Sequence, residues 1–504
     1  MSYLELLKLA APEAIVLVAA LVILTIGLVT GRRGVGASVS VAGPGNAGDR
    51  PTAFAGETPA APSGRVYPFV AAIGLAFAAA AVLPLPSHAT LFHGMLVISP
   101  LNSLFKIICL TLAFFTVILA RGEHALPNKG EYLAMILLAT IGLLLLVGSE
   151  ELLMIFIGLE LTGLSLYVMT AFDKEHRSSS EAGLKYFLFG SLASAFTLFG
   201  LSFIYGLTGT TTLASIAQRL AAVPIEPLLG AGIVMTLIGF AFKIAAAPFH
   251  LWAPDVYQGA PVSTAAFIAS GSKVASFVVL GKIVLIGFGP VPGSANWHGM
   301  ASGWTLILAA LAALSILIGN LVALAQKNVR RLLAYSAVAH AGYTLVGLVA
   351  AGPLGFSATL FYTTIYGITL VGAFGVVALV RRECGGDDLS DFAGCMAIFM
   401  LSLAGLPPLA GFFGKFYLFS AAFRAGHNHG LFWLVVLALF GSLISLYYYL
   451  IVLKAIFVDE SKRASFALRP DFLQRVALTV LAGTVLVFGL MPETLLARIL
   501  ASVT

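Results

Sequence analysis

Fourteen apolar stretches, each roughly 18–25 residues long or longer, follow one another along this chain of 504 residues. An α-helix needs about 20 apolar residues to cross the hydrocarbon core of a bilayer. Hydrophobic residues make up 60% of the sequence and charged residues 10%, which is too few to cover a water-soluble domain. The stretches cover about residues 12–30, 67–87, 99–120, 131–149, 152–172, 182–207, 228–258, 263–288, 302–324, 332–351, 355–380, 393–423, 431–457 and 473–491. The sequence therefore predicts an all-α polytopic membrane protein with about fourteen transmembrane helices.

The basic residues outside these stretches are distributed unevenly between the two sides of the membrane. Segments that follow odd-numbered stretches hold seventeen of the 28 Lys and Arg residues, whereas the opposite side, which includes both termini, holds four. Basic residues favour the cytoplasmic side of a membrane. We therefore expect a multi-pass membrane protein with both termini on the outer side. The net charge of +6 is then an orientation signal, and we expect no binding of nucleic acid.

The sequence contains no motif that would hold a cofactor or a metal. Its three cysteines form no CxxC pair, and no Gly-rich phosphate loop follows a strand. The longest connection, residues 31–66, is rich in Gly, Ala, Pro and Ser and is predicted to be a mobile linker. We therefore expect no cofactor-binding site and no metal site, and a partner or an ion gradient must drive the protein.

Two of the apolar stretches are interrupted. The seventh contains Pro248 and Pro254, and the twelfth contains Pro407 and Pro408 between two glycines, Gly405 and Gly411. Proline frees a backbone carbonyl, which hydrocarbon does not tolerate unless protein or water satisfies it. Each break falls in the fourth helix of a block of five, and because five is odd the two blocks have opposite orientations. This pattern predicts two inverted five-helix repeats, as in ion transporters; ordinary proline kinks are the alternative.

The repeats divide the chain into four parts. Residues 1–129 hold helices 1–3 and the linker, 130–298 the first repeat with helices 4–8, 299–457 the second repeat with helices 9–13, and 458–504 helix 14.

Seven lysines lie inside the apolar stretches, whereas the arginines lie outside them or, in the case of Arg475, at the very start of the last one. Lysine, unlike arginine, can give up its proton when it is buried, which suits a proton carrier. At 1.5 Å per residue, Glu160 lies about 13 Å into the fifth helix and Lys273 about 15 Å into the eighth, both near mid-membrane. Lys243 and Lys415 lie beside the two breaks. We therefore interpret Glu160, Lys243, Lys273 and Lys415 as a proton relay, with Glu160 and Lys243 as a charged pair; a static ion pair is the alternative for these two.

Three further residues are candidates for the same relay. Lys185 follows Glu181 by four residues, so it either supports its helix or lies on a proton entry route. His250 and His340 are imidazoles that either pass protons or serve as packing residues. Of the remaining lysines, Lys282 and Lys454 lie near the ends of their stretches, where a lysine is expected to extend to the interface, and Lys106 has no assigned role.

Four separate motifs resemble one family. FKIAAAPFHLWAPDVYQGAPVSTAAFIASGSKVASF, FIGLELTGLSLYVMTAF, NVRRLLAYSAVAHAGY and LAGLPPLAGFFGKFY are similar to the subunit N family of bacterial respiratory complex I, NADH-quinone oxidoreductase, whose relatives include cation/proton antiporter subunits. PDVYQGAP and a lysine at position 415 favour subunit N over its sister subunits. The resemblance extends from about residue 67 onward.

The resemblance implies a proton-translocating, antiporter-like membrane subunit that contains no redox centre. It also implies the relay roles of Glu160, Lys243, Lys273 and Lys415 and a role for both histidines. NADH, flavin, iron–sulfur clusters and quinone are then expected in partner subunits, and other membrane subunits of the complex and lipid are the expected partners. A sodium/proton antiporter subunit is the alternative function, although a hard cation requires oxygen ligands and the spans hold few carboxylates. A structural subunit with an inactive channel is a third possibility.

Overall fold

The computed structural model describes residues 3–35, 63–123, 128–222, 226–384, 395–425, 430–458 and 471–503, and these residues are mainly helical. The helices are α1 (Tyr3–Leu9), α2 (Ala11–Val35), α3 (Ser63–Val82), α4 (Pro100–Ala120), α5 (Lys129–Gly148), α6 (Leu152–Thr170), α7 (Arg177–Thr208), α8 (Leu213–Leu220), α9 (Pro227–Lys243), α10 (Ala253–Gly259), α11 (Val262–Phe267), α12 (Lys273–Lys282), α13 (Trp304–Ala323), α14 (Val329–Val349), α15 (Gly352–Cys384), α16 (Cys395–Ala404), α17 (Ala410–Arg424), α18 (Phe432–Phe457), α19 (Phe472–Leu490) and α20 (Glu493–Val503).

Eleven of the helical segments in the described residues are long and apolar enough to cross a membrane. Three shorter apolar helices, Val66–Val82, Pro227–Lys243 and Cys395–Ala404, coincide with the second, seventh and twelfth predicted stretches. The prediction of a polytopic all-α membrane protein is confirmed. The count of fourteen crossings, the inverted repeats and the division into four parts stay predictions.

Both predicted breaks are present as gaps between helices. In the first, α9 ends at Lys243 and α10 begins at Ala253, with Pro248 between them, whereas Pro254 lies in the first turn of α10. In the second, α16 ends at Ala404 and α17 begins at Ala410. Gly405 follows α16 with a φ of +84°, a left-handed conformation that glycine adopts without steric cost.

Protein groups satisfy the backbone at the first break. The indole Nε1 of Trp252 donates to the carbonyl oxygen of Phe242 at 3.1 Å, and the amide of Ala247 donates to Ser315 Oγ at 2.8 Å. Such partners are what irregular backbone needs at membrane depth, where water is scarce. The helix break is therefore stabilised by specific hydrogen bonds from the protein itself.

The segment between Val262 and Gly287 contains two π-helical turns. α12 lies between two π-helical turns, Ile268–Ser272 and Ile283–Gly287, and α11 precedes the first of them. A π-turn contains one more residue than an α-turn and occurs often at functional sites. Lys273 and Lys282 are thus the first and last residues of one short α-helix with a wide turn on either side.

The structure also contains a short β-hairpin at one end of the helix bundle. Strands β1 (Ala89–Leu91) and β2 (Leu96–Ile98) pair antiparallel, with a 3₁₀ turn, Phe92–Gly94, between them. Leu96 also bridges to Ser149, just beyond the end of α5. The hairpin therefore packs beside the connection from α5 to α6.

The most buried membrane-length segments are Val262–Gly287, α14 and α15. In the most apolar 18 residues of each, the buried share is 94%, 94% and 89%, respectively. In contrast, α7 and α18 expose large apolar side chains such as Leu192, Phe199 and Leu443. Apolar side chains on outer helices suit contact with lipid or with neighbouring membrane subunits. The predicted relay residues Lys273 and His340 lie on the inner helices.

The linker predicted at 31–66 lies mostly outside the described residues. α2 extends to Val35 and α3 begins at Ser63, so the first and last residues of the predicted linker are helical.

Candidate functional site

Glu160 and Lys243 face a small polar cavity between α6, α7 and α9. Ser194 and Thr197 also line it, and Ser194 Oγ donates a hydrogen bond to the Glu160 carboxylate. About 20 Å³ of the cavity is open to a water molecule, which is room for about one water. Both residues are described, but their charged groups do not come within ion-pair distance of each other. The expected pair is therefore two groups that share a cavity and have space for a water between them.

Lys273 lies at the centre of the bundle with 2% of its surface exposed. Its Nζ donates to the carbonyl oxygen of Ala337 in α14 at 2.9 Å and lies 5.6 Å from the centre of the Tyr366 ring in α15. A cation over an aromatic face is attracted by the electron density of the ring. Lys273 thus contacts two helices of the second half of the chain, although α12 belongs to the predicted first repeat.

His340 is buried beside Lys273 and has a partner at each ring nitrogen. Nδ1 is 2.6 Å from the hydroxyl of Tyr362, and Nε2 is 3.0 Å from the hydroxyl of Tyr449. The His340 ring stacks on Tyr366 with centroids 4.9 Å apart and meets the Tyr343 ring edge to face at 5.6 Å. A neutral imidazole carries one donor and one acceptor nitrogen, so both hydroxyls are satisfied in either tautomer.

Lys415 lies beyond His340 at the second helix break. Its Nζ donates to the carbonyl oxygen of Ala404 and to Ser442 Oγ, both at 3.0 Å. It also lies 5.2 Å from the centre of the Tyr343 ring. Tyr343 accepts a hydrogen bond from Asn320, which in turn accepts one from Tyr448.

These contacts form a continuous buried row between the two lysines. In order, the row runs through Lys273, Tyr366, His340, Tyr343 and Lys415. The imidazole of His340 therefore lies between Lys273 and Lys415 in this row of ring contacts. Their roles as proton carriers stay predictions.

His250 lies within the first break and is 6% exposed. Its ring contacts Tyr335 of α14, with centroids 6.3 Å apart. Its Nδ1 has no hydrogen-bond partner among the described residues. Because a buried imidazole nitrogen needs a partner, His250 has a free position for a water or a transferred proton.

The sequence interpretation missed one carboxylate, Asp255 of α10. Asp255 accepts from Lys185 Nζ and from Arg331 Nη1, both at 2.7 Å, and Arg331 also reaches Gln258 at 3.0 Å. Lys185 pairs with Glu181 at 2.7 Å as well, as its spacing of four residues indicates. The adjoining PDVYQ motif was the available signal, but only the fold shows that Asp255 joins α7 to α14.

The expectation for Lys282 is wrong, because its side chain does not extend to an interface. Lys282 is 1% exposed, and its Nζ donates to Asn102 Oδ1 at 2.6 Å and to the carbonyl oxygen of Val147 at 2.8 Å. Lys106 is also buried and contacts Glu13 at 2.6 Å. Lys454, in contrast, is exposed, as expected for a lysine near the end of its helix.

The described residues contain no group of three His, Cys, Asp or Glu side chains that could hold a metal ion. Cys109 and Cys395 are free thiols. The buried row from Lys273 to Lys415 contains lysine, tyrosine and histidine side chains.

Comparison with known proteins gives three kinds of likeness. The family model described as NADH:quinone oxidoreductase/Mrp antiporter, TM, matches residues 149–445. The chain is 45% identical to NADH-quinone oxidoreductase subunit N 2 of Acidobacterium capsulatum over 83% of this chain and 88% of that protein.

Two solved structures share the fold. A chain of respiratory complex I from Thermus thermophilus with bound Aureothin is 31% identical, with a TM-score of 0.74, over 96% of this chain and 98% of that chain. A chain of the Mrp complex from Dietzia sp. DQ12-45-1b has a TM-score of 0.79 over 99% of this chain and 97% of that chain, but at 19% identity it shows the fold alone.

Proposed function

Since the chain belongs to the subunit N family of NADH-quinone oxidoreductase, the antiporter-like membrane subunits of that enzyme complex, we propose that Glu160, Lys243, Lys273 and Lys415 carry protons through it. The chain is thus a membrane subunit of a proton-translocating enzyme. The assignment of the pathway to these four residues is what the geometry supports.

The observation that carries this assignment is the position of His340 between Lys273 and Lys415. Both ring nitrogens of His340 have hydroxyl partners, so the ring can accept a proton on one side and release one on the other. Aromatic rings fill the space between the imidazole and each ammonium group. The two lysines therefore have His340 as a common neighbour, and the residues between them are buried.

The proposed path begins at Lys185 in the N-terminal part of α7 and Asp255 in the first turn of α10, each about a third exposed. The cavity between Glu160 and Lys243 comes next, and a single water there would link the two groups. Lys273 receives the proton near mid-membrane, and His340 would pass it to Lys415 once water or side-chain movement connects the ammonium groups with the hydroxyls of Tyr362 and Tyr449. Lys415 then releases it to the outer side when the charges along the row rearrange, so that two offset half-channels together move one proton per cycle.

The chain's surroundings are part of the same proposal. Electron transfer would occur in other subunits, which would hold NADH, flavin, iron–sulfur clusters and quinone. Apolar side chains on α7 and α18 would face neighbouring membrane subunits or lipid. The bias of basic residues supports a place in the bacterial plasma (inner) membrane with both termini on the outer side.

Variants of the assembled complex test the pathway. Lys273→Ala and Glu160→Ala are each expected to reduce proton pumping and NADH oxidation at least ten-fold in membrane vesicles, with the complex still assembled. Lys454→Met removes an exposed lysine from the end of α18 and is the matched control, expected to pump normally. Unchanged stoichiometry and turnover in both relay variants would refute the assignment.

The antiporter alternative predicts a different dependence. A sodium/proton antiporter subunit would move protons in response to an imposed sodium gradient without NADH. We expect no such response from the complex, and proton movement driven by sodium alone would favour the alternative. Co-purification of redox subunits with the chain would support the first function.

A further inference from the structure

A second group of buried charges lies outside the proposed proton path. Lys106 of α4 contacts Glu13 of α2 at 2.6 Å, and the two side chains are only 5% and 11% exposed. Lys282 of α12 lies 3.4 Å from Glu150, whose side chain is 30% exposed. These two lysine–glutamate pairs are named the outer cluster here, because the expected orientation places them at the outer side.

Lys282 binds the end of α5. α5 ends at Gly148, and the carbonyl oxygens of Val147 and Ser149 accept hydrogen bonds from Lys282 Nζ at 2.8 and 3.4 Å. The last carbonyls of an α-helix have no partner within the helix and attract a positive charge. With Asn102 Oδ1 as third acceptor, all three N–H groups of the ammonium are used. Lys282 is therefore a fixed charge that holds three helices together.

The two pairs are packed against the same backbone. A β-carbon at position 148 would lie 3.2 Å from Lys106 Cε, so the Lys106 side chain lies against Gly148. Lys106 and Asn102 both belong to α4, and one turn of helix separates them. Glu13 thus anchors the helix that presents Asn102 to Lys282.

Lys282 and Lys273 are connected through α12. The two residues are the ends of α12, nine positions apart, which is about 13.5 Å of helix and two and a half turns. They therefore point to opposite sides of α12, Lys282 towards α4 and α5 and Lys273 towards α14 and α15. Because a π-turn bounds α12 at either end, its rotation is not imposed by a continuous α-helix.

We propose that Lys282 is a positioning residue for Lys273: its contacts with Asn102 and the end of α5, supported by the Lys106–Glu13 pair, fix the rotation of α12 and so hold the Lys273 ammonium at Ala337 and Tyr366. This role rests on the proposed function, since it requires Lys273 to carry protons. It also gives the N-terminal helices a part in the relay, although Glu13 and Lys106 precede the region 149–445 that the family model matches.

Lys282→Met in the whole complex tests this role. Methionine keeps an unbranched side chain as far as the ε position and removes the ammonium group with its charge and donors. We expect turnover and proton pumping per assembled complex to fall at least five-fold with an unchanged KM for NADH, because substrate binding lies in other subunits. Lys454→Met is the matched control and keeps normal turnover. A residue that only supports folding would lower the amount of assembled complex and leave turnover per complex unchanged.

A second variant covers the case in which Lys282→Met does not assemble. Asn102→Leu keeps the lysine and removes one of its three acceptors, and turnover per complex is expected to fall two- to five-fold. Normal turnover per complex in whichever variant assembles would overturn the positioning role. Failure of both variants to assemble would also overturn it, because the cluster would then be a folding element.

Lys273→Ala, measured in the same series, separates this role from the proposed function. If Lys273→Ala pumps normally, the proposed function fails. If Lys273→Ala loses pumping while Lys282→Met retains it, only the positioning role fails.

Discussion

The ammonium group of Lys415 donates a hydrogen bond to the carbonyl oxygen of Ala404, 3.0 Å away across the second helix break. Ala404 is the last residue of α16, so this carbonyl has no partner within its own helix. The same side chain is the proposed exit of the proton path. Lys415 therefore completes the backbone at the break and, in the proposed path, also carries a mobile charge.

Lys415→Met and Lys415→Arg are expected to separate these two functions. Methionine leaves the Ala404 carbonyl without its donor, which costs about 1–3 kcal/mol of stability. Arginine keeps donors and charge but does not release a proton. We expect proton pumping to fall at least ten-fold in both variants, and the thermal stability of the complex to fall more with methionine. Normal pumping by the arginine variant would show that Lys415 is only a structural charge.

His340→Phe is expected to interrupt the row between the two lysines. An aromatic ring is kept, but the hydroxyl of Tyr362 loses its partner at Nδ1, whereas that of Tyr449 loses Nε2 and keeps Ser336. We expect pumping by the assembled complex to fall at least ten-fold, with a loss of about 1–3 kcal/mol for the orphaned Tyr362 hydroxyl. Thr344→Val is the control, because Thr344 bonds only the backbone carbonyl of His340 and its loss leaves the imidazole in place. Equal pumping by the two variants would contradict a relay through His340.

Two substitutions of Tyr366 distinguish its ring from its hydroxyl. The hydroxyl is buried without a hydrogen-bond partner among the described residues, whereas the ring faces Lys273 and stacks on His340. Tyr366→Phe is therefore expected to keep pumping within about two-fold, because the cation–π contact of about 0.5–2 kcal/mol is preserved. Tyr366→Leu removes that contact and is expected to reduce pumping at least five-fold. The reverse order, with phenylalanine the more damaging, would show that the hydroxyl takes part in proton transfer.

Asp255→Asn tests the proposed entrance. Asparagine removes the charge that Lys185 and Arg331 share, and we expect proton uptake to slow at least three-fold in the assembled complex. Stability is expected to change by only about 0–2 kcal/mol, because both ion pairs are about a third exposed and are screened by water. Glu181→Gln is the matched control: it removes the other carboxylate on Lys185, which is more exposed and binds Lys185 alone. If both variants slowed uptake equally, the general charge of this surface would be responsible.

A double-mutant cycle on Glu13 and Lys106 tests the buried pair of the outer cluster. Glu13→Gln or Lys106→Met alone leaves one buried charge without its partner, which costs about 3–5 kcal/mol. We expect the double variant to lose clearly less than the sum of the two single losses. The measurement is the denaturant midpoint for release of the chain from the solubilised complex. Additive losses would mean that the two side chains do not stabilise each other.

The apolar stretches were sufficient to predict the membrane-length helices, because spans of about 20 apolar residues have few other uses. They did not predict the short helices α1, α8 and α20. The helix breaks were also predictable, since Pro248, Pro407 and Pro408 interrupt apolar sequence. In each case the evidence is local in the chain. The mobility predicted for the linker at 31–66 stays a prediction, because most of the linker lies outside the described residues.

The side-chain partners were not predictable in the same way. Position near the end of an apolar stretch suggested that Lys282 reaches an interface, but Asn102 and Val147, 180 and 135 residues away in the chain, bind it in the interior. Glu13 lies at the start of its stretch, where the sequence gives no sign of burial, yet it is only 9% exposed. Depth along one helix cannot reveal which neighbouring helices cover it.

The two π-turns around α12 have a consequence for the length of the chain. Each turn contains one residue more than an α-helix needs, so removing a residue from Ile268–Ser272 would leave an ordinary α-turn with Lys273 on nearly the same face relative to α11. The wide turn thus absorbs an extra residue without redirecting the lysine. A deletion within α12 has no such turn to absorb it and would aim the two lysines at different neighbours.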